Sequence, residues 1–401
     1  VAGGYLGDVT SANQQLAPAL EIDARLTEIE RSVDLLLNIT PVNAAEAWAD
    51  FERSDFGTAP TLRLRPLEFE PDLVRRDLYG LEIENVDDPA LHTLFRVKRD
   101  EIARQITALE DRDTSRFMYG SLQLYGGVAQ PLASAAEELL ETIPAQGPST
   151  SSVTAGAFAE AAREEFDRYR AVYPDFPVNV EVREDISELM VSFGRLLIPE
   201  TASIRTDRVE PLLHHEVGTH VVTYQNGAKQ PLKLLTIGLP GYDETQEGLA
   251  VLAEYLTGGL DPRRLRVLAA RVVAVGKLLD GAEFLDIFES LRTEHKIPTR
   301  TAWSIAIRVV VGGGSVKDAI YLRGITRILE TLAEGSSLDV LFVGKLALDH
   351  IPLIQDLLDR EVLVAPWIRP RWLDVPGAQE RLEGLRAGAT ITDLYEGAVS
   401  S

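Results

Sequence analysis

Residues 207–226, DRVEPLLHHEVGTHVVTYQN, constrain this chain more than any other stretch, because they set His215, Glu216 and His220 as H-E-x-x-x-H inside one amphipathic pattern. Two imidazoles with a carboxylate between them equip a helix to hold zinc and to aim a base at a water beside it, which is peptidase chemistry. The spacing poses a problem. Histidines four residues apart sit about 40° from each other round a regular helix, whereas five residues leave them about 140° apart, out of reach of one ion. A π-bulge, one extra residue in a turn, rotates the rest of the helix by about 100° and returns both rings to one face. Gly218 or Thr219 is the expected place for it. The apolar positions agree, since Val209, Leu213 and Val217 form a stripe whose centre falls to His220 on a regular helix and gains Val221 once the bulge is present. Without a third ligand, the same residues describe an ordinary core helix with a solvated histidine pair.

That ligand has to come from another element, because a tetrahedral site needs a donor from a second direction. Glu247, in DETQEGLA where a second helix is expected to start, is the preferred candidate. Gly248 beside it has no side chain to hold the two helices apart. Glu244 is the rival, with a simpler role as negative charge at a helix N-terminus.

HEVGTH followed by QEGLA resembles the bacterial flavohaemoglobin expression-modulating QEGLA-motif proteins and their eukaryotic relatives, the microtubule-associated tyrosine carboxypeptidases. The resemblance runs from about residue 178 to about residue 352 and takes in MVSFGRLLIP, HEVGTH, QEGLA and KDAIYLRG. It implies a zincin-like metallopeptidase with Zn2+ on His215, His220 and Glu247 and with Glu216 as general base. It also implies a peptide or protein C-terminus as substrate, cut to release the last residue, an aromatic one being the suggested type. Two alternatives stand beside it: a zinc-binding regulator that acts through a partner, and an aminopeptidase or endopeptidase.

Charge and composition narrow the partners. Asp and Glu number 62 against 40 Lys and Arg, a formal charge of −22, which repels nucleic acid and anionic membrane surfaces. An acidic peptide is repelled too, so binding one requires a local basic patch near the metal. There is no cysteine, so neither a disulfide nor a thiolate ligand is available. No apolar run approaches the roughly 20 residues of a membrane span, and the N-terminal stretch lacks a signal-like apolar core, so a cytoplasmic location is expected. Oligomeric state is not legible.

At 401 residues the chain is long enough for two lobes, and the Pro-, Gly- and Ser-rich stretch 144–153 is the expected surface linker. The expected architecture is α+β and mostly helical. A helical N-terminal lobe over 1–150 precedes a zincin-like catalytic lobe over 151–401, with a small sheet beside the H-E-x-x-x-H helix. Helical periodicity marks 12–37, 88–110, 129–142 and 154–172, and three helices are expected over 261–310. The stretch 39–87 reads as connections and short helices. Residues 178–182 alternate like a strand, and 189–198 reads as a strand or hairpin with Gly194 at a bulge or turn. Asp207 with Glu210 suggests a capping box for the metal helix. A helix is expected over 338–358, a wrapping segment in APWIRPRWLDVP, and fraying in the last twenty positions.

Substrate contacts are expected from three places. Residues around Gly194 are the candidate edge for pairing with an extended peptide. Lys317, Tyr321 and Gly324 share a helix face at i, i+4 and i+7. Tyr321 is then placed to donate to a developing oxyanion, and Lys317 or Arg323 to bind a terminal carboxylate.

Overall fold

Leu26, Ile29 and Val33 repeat at helical spacing and are buried to 6% exposure or less, so the N-terminal periodicity does become the packed face of a helix, Leu6–Val33. The computed structural model describes residues 6–147, 151–186 and 188–395. It is α+β and mostly helical, with five short strands among the described residues. The helix expected over 12–37 breaks at Asp34, left-handed at φ 34°, and a separate turn Leu35–Ile39 follows. Ala44–Arg53 and Pro71–Tyr79 are the short helices expected of 39–87. The long helix Pro89–Glu110 starts where Asp88 accepts the Ala90 and Leu91 N–H groups, with proline at the first helical position. Phe117–Tyr125 and Gln130–Thr142 complete this part.

The strands are β1 (Ser152–Thr154), β2 (Val180–Arg183), β3 (Met190–Ser192), β4 (Arg195–Pro199) and β5 (Ser203–Arg205). Of the expected linker 144–153, residues 148–150 lie outside the described residues. Its end is not linker but β1, antiparallel to β5 with Val153 opposite Ile204. Thr154 then caps the helix Ala155–Val172 by accepting from the Ala157 N–H. The second sheet runs β2-β4-β3, parallel between β2 and β4, antiparallel between β4 and β3. Its hairpin turns through Phe193 and Gly194, both left-handed at φ 47° and 73°, the handedness that matches strand twist. A Cβ on Gly194 would lie 2.5 Å from the Tyr224 ring.

One apolar core runs from Ala19 to Leu394 and draws on helices either side of residue 150. A smaller one joins Phe158, Phe166, Leu196, Ile198, Val217 and Val221, so it packs the 155–172 helix and the three-stranded sheet against the metal helix. The helices Pro262–Leu279, Phe284–Thr293 and Thr299–Val310 appear as periodicity predicts.

Four expectations change. Asp207 makes no capping box, because the Arg205 guanidinium holds its carboxylate at 2.7 and 2.9 Å and the chain enters the helix through a 3-10 turn, Thr206–Arg208. The stretch 338–358 is not one helix: residues 343–347 are irregular, pinned where Lys345 N donates to the Leu235 carbonyl at 2.8 Å. The C-terminal positions are packed rather than frayed as far as they are described, with Leu382, Leu385, Ile391 and Leu394 buried. Residues 396–401 lie outside the described residues.

The fourth concerns Gly248. It does not serve the approach of the two ligand helices; instead it lets the helix Tyr242–Leu256 touch the helix Ile320–Ala333 backbone to backbone. A Cβ on Gly248 would lie 2.4 Å from the Gly324 carbonyl carbon, and one on Gly324 would lie 2.1 Å from the Glu244 carbonyl oxygen. Neither main chain can yield without moving a whole helix. Gly248→Ala or Gly324→Ala should therefore destabilise the fold by about 1–3 kcal/mol. Gly276→Ala, at a helical position with open space around it, should stabilise by about 0.5–1 kcal/mol. Thermal melting of the three variants checks the contrast, and equal melting of the first two with the parent would contradict it.

Candidate metal centre

The helix carrying the two histidines is regular over Val209–His215, becomes a π-helical turn over Glu216–Val221, and resumes as Val222–Lys229. The extra residue thus lies within the stretch that holds Gly218 and Thr219. The turn brings the His215 and His220 rings to 5.1 Å between centroids, nearly perpendicular at 81°. Val217 and Val221 meanwhile turn fully into the smaller core.

Glu247 comes from the facing helix Tyr242–Leu256. Its Oε2 lies 3.5 Å from His215 Nε2 and 3.8 Å from His220 Nε2, and one donor atom from each of the three residues falls within 4.8 Å of the others. Ligand atoms on a tetrahedral zinc lie about 3.3 Å apart, from bond lengths of about 2.0–2.1 Å. The two distances to Glu247 therefore need only a small contraction for the donors to share an ion. Glu247 Oε2 is also buried without a hydrogen-bond partner, an arrangement that is costly unless a cation completes it. Two neutral-capable nitrogens and a carboxylate oxygen are the donor set of a zinc site, so the residues fit the metal. Glu244 is no rival, since Arg323 and Arg327 hold its carboxylate.

The other letters of QEGLA have roles as well. Gln246 Oε1 accepts from Thr223 Oγ1 at 2.6 Å, which ties the two ligand helices together. Leu249 and Ala250 are fully buried.

Behind His215 stands Glu254, which sequence reasoning missed. Its Oε1 lies 2.8 Å from His215 Nδ1 while its Oε2 takes Arg208 Nη2 at 2.9 Å and Arg264 Nε at 3.3 Å. A carboxylate at Nδ1 fixes the tautomer that turns Nε2 toward the ion. The signal was present, because Glu247 and Glu254 are seven residues apart on one helix face.

Electrostatics follow from this packing. Burial opposes a charge on His215, but the Glu247 and Glu254 carboxylates outweigh it and raise the imidazole to about 9. Burial pushes His220 down to about 4. Burial also lifts Glu216 to about 7, with Glu247 and Glu254 adding to the rise and His215 opposing it. For Glu247 burial acts upward, yet the two imidazoles bring its carboxyl well below the usual range.

These groups open onto a cavity of about 280 Å³. Glu216 lines it, with Oε1 3.9 Å from His215 Nε2. Tyr321 lines it too, its ring stacked under Arg271 at 4.5 Å and its hydroxyl without a hydrogen bond among the described residues. Lys317 reaches the wall but is engaged, with Nζ 3.0 Å from Asp243 Oδ1.

Two expected substrate contacts move. Arg323 is not on the cavity wall: it is held by Glu244 and donates to the Gly127 and Tyr125 carbonyls, so it braces two helices instead. Gly194 serves the hairpin turn, and the unpaired edge beside the cavity is β3, through Met190 and Val191.

A site of this kind, with one carboxylate beside a three-donor cluster in a cleft, is that of a peptidase class. The chain belongs to the microtubule-associated tyrosine carboxypeptidase family, whose model matches residues 49–389, most of its length. The match reaches well into the N-terminal region that the motif resemblance left out. Membership implies a tyrosine-carboxypeptidase-type activity on a peptide or protein C-terminus. Comparison with curated proteins and with solved structures returned no match. No described helix is long and apolar enough to cross a membrane.

In metal-free protein, His215 should keep its proton until pH approaches about 9, while His220 should be neutral above about 4. The raised pKa means the His215 contribution to stability is complete below about 6.5, its unfolded value, and fades as pH rises through about 9. Ring NMR titration, with His215→Gln to assign the signals, reads this directly; two rings titrating together near 6.5 would contradict it.

Proposed function

We propose that the chain is a zinc-dependent carboxypeptidase. The reading is carried by the convergence of His215, His220 and Glu247 around one point, with Glu216 beside them on the cavity wall. Zinc held by His215, His220 and Glu247 would supply Lewis acidity for the scissile carbonyl and would lower the pKa of a water toward neutrality. Glu216 takes a proton from the attacking water and passes it to the leaving nitrogen as the C–N bond breaks. A carboxylate raised toward neutrality is suited to both tasks. The Tyr321 hydroxyl donates to the carbonyl oxygen as it gains negative charge.

The chain's other residues position the peptide. The exposed edge of β3 offers backbone groups to an extended substrate. Ile39, Ile307 and Val311 give the cavity an apolar wall, suited to an aromatic terminal side chain, which the tyrosine in the family's description supports. At about 280 Å³ the cavity is near the lower bound of ligand pockets, about 300 Å³, so it suits one terminal residue better than a threaded chain.

Glu216→Gln should keep its zinc, measured by elemental analysis, and lose about 10²–10⁴-fold in kcat. Peptides with free, amidated and acetylated ends separate the exopeptidase types. Hydrolysis should vanish on amidation and survive acetylation. Undiminished turnover in Glu216→Gln, or cleavage of the amidated peptides, would sink the proposal.

A further inference from the structure

A carboxypeptidase has to hold the negative end of its substrate, and the role assigned here to one lysine rests on that reading. Among the described residues, four cations line the cavity: Arg65, Arg308, Lys317 and Lys345. Arg308 is spent on Asp318 and Glu188, and Lys317 on Asp243. Arg65 makes no ion pair among the described residues, and its charge acts on Asp34 and Asp185. Lys345 remains. Its ammonium makes no ion pair and no hydrogen bond among the described residues, and its neighbours are the rings of Tyr242 and Tyr224, centred 5.4 and 5.9 Å away. It lines the same cavity as His215, His220 and Glu247, and its charge acts on His220.

We propose that Lys345 binds the α-carboxylate of the substrate's C-terminal residue and thereby makes the cleft an exopeptidase site. The backbone holds it ready. Lys345 N donates to the Leu235 carbonyl at 2.8 Å, and its own carbonyl accepts from Leu239 N at 3.0 Å. Gly344 lets the strand of chain press inward, since a Cβ there would lie 2.7 Å from the Leu235 oxygen. With its main chain fixed on both sides, the residue has only side-chain freedom left to lose on binding. Burial lowers the ammonium to about 8, although the Asp243 and Glu247 charges act upward, and with no carboxylate in ion-pair contact among the described residues the lysine has room for the counter-charge that a terminal carboxylate brings. An internal peptide bond or an amidated end brings no such charge. The local basic point that an acidic chain needs near its metal is therefore a single residue.

The test uses the full-length, zinc-loaded Glu216→Gln protein, which binds peptide without turning it over. The probes are acetyl-glycyl-glycyl-tyrosine and its C-terminal amide, measured by calorimetry. The free acid should bind about 10- to 100-fold more tightly than the amide. Adding Lys345→Met should reduce that ratio to within threefold, and Lys345→Arg should restore most of it, which a merely structural lysine would not produce. Should the methionine variant fail to fold, Lys345→Gln is read in the same way. A ratio that survives removal of the ammonium overturns the assignment and leaves the carboxypeptidase reading standing. No preference for the free acid in the Glu216→Gln protein itself overturns that reading as well.

Discussion

One surplus residue in a single helical turn is the constraint on which the rest of the site depends. A π-helical turn is rare because it breaks the regular i→i+4 ladder, and it persists only where other contacts compensate. Here Trp372 Nε1 donates to the Gly218 carbonyl at 3.1 Å, and Thr219 Oγ1 donates to the His214 carbonyl at 3.1 Å. Burial of Val217 and Val221 adds the apolar contribution, about 1.5–3 kcal/mol for each side chain fully removed from water. Gly218 is required by the same contact, since a Cβ there would lie 2.9 Å from Trp372 Cδ1. The C-terminal wrap also reaches the next stretch of the helix, where Asn226 exchanges two hydrogen bonds of 2.9 Å with the Ile368 backbone. A segment more than 140 positions away thus decides whether the two imidazoles can meet.

Charge is arranged around that turn in layers. The chain is strongly acidic, yet three carboxylates around the cluster, Glu254, Asp318 and Asp243, have cationic partners. Glu254 is fully buried, and its cost is offset by two guanidiniums and an imidazole. Asp318 is held by Arg308 and Arg271, and Asp243 by Lys317. Among the ligands, only Glu247 keeps an oxygen with no hydrogen bond. The unsatisfied anion lies between the histidines, and the unpaired ammonium of Lys345 lies at the cavity wall. Such imbalance is expected where a site awaits a ligand and not where residues only pack.

Much of this is legible in the sequence. The helices at 89–110, 130–142 and 155–172 follow from 3.6-residue periodicity, because each buries residues at helical spacing, and the three expected across 261–310 are present as well. The π turn is legible because five-residue spacing is incompatible with a shared ion on a regular helix. The features that escape reading are those that depend on distant partners. Gly248 looks like the point where the two ligand helices approach, but its true neighbour, Gly324, lies 76 positions on and shows no local signal. Asp207 looks like a cap until Arg205 takes it. Lys317 and Arg323 are plausible anchors by sequence position, yet acidic residues of the Tyr242–Leu256 helix occupy both. Lys345 stays hidden because apolar residues at 338–358 mimic a helix, whereas Gly344 and the Leu235 carbonyl impose an irregular path.

Diffraction at the zinc absorption edge from crystals of the zinc-loaded protein tests the central geometric idea most directly. One strong anomalous peak is predicted within bonding distance, about 2.0–2.2 Å, of His215 Nε2, His220 and Glu247. A regular turn at 216–221 with His220 rotated away, or a zinc peak that excludes any of these three side chains, would contradict it.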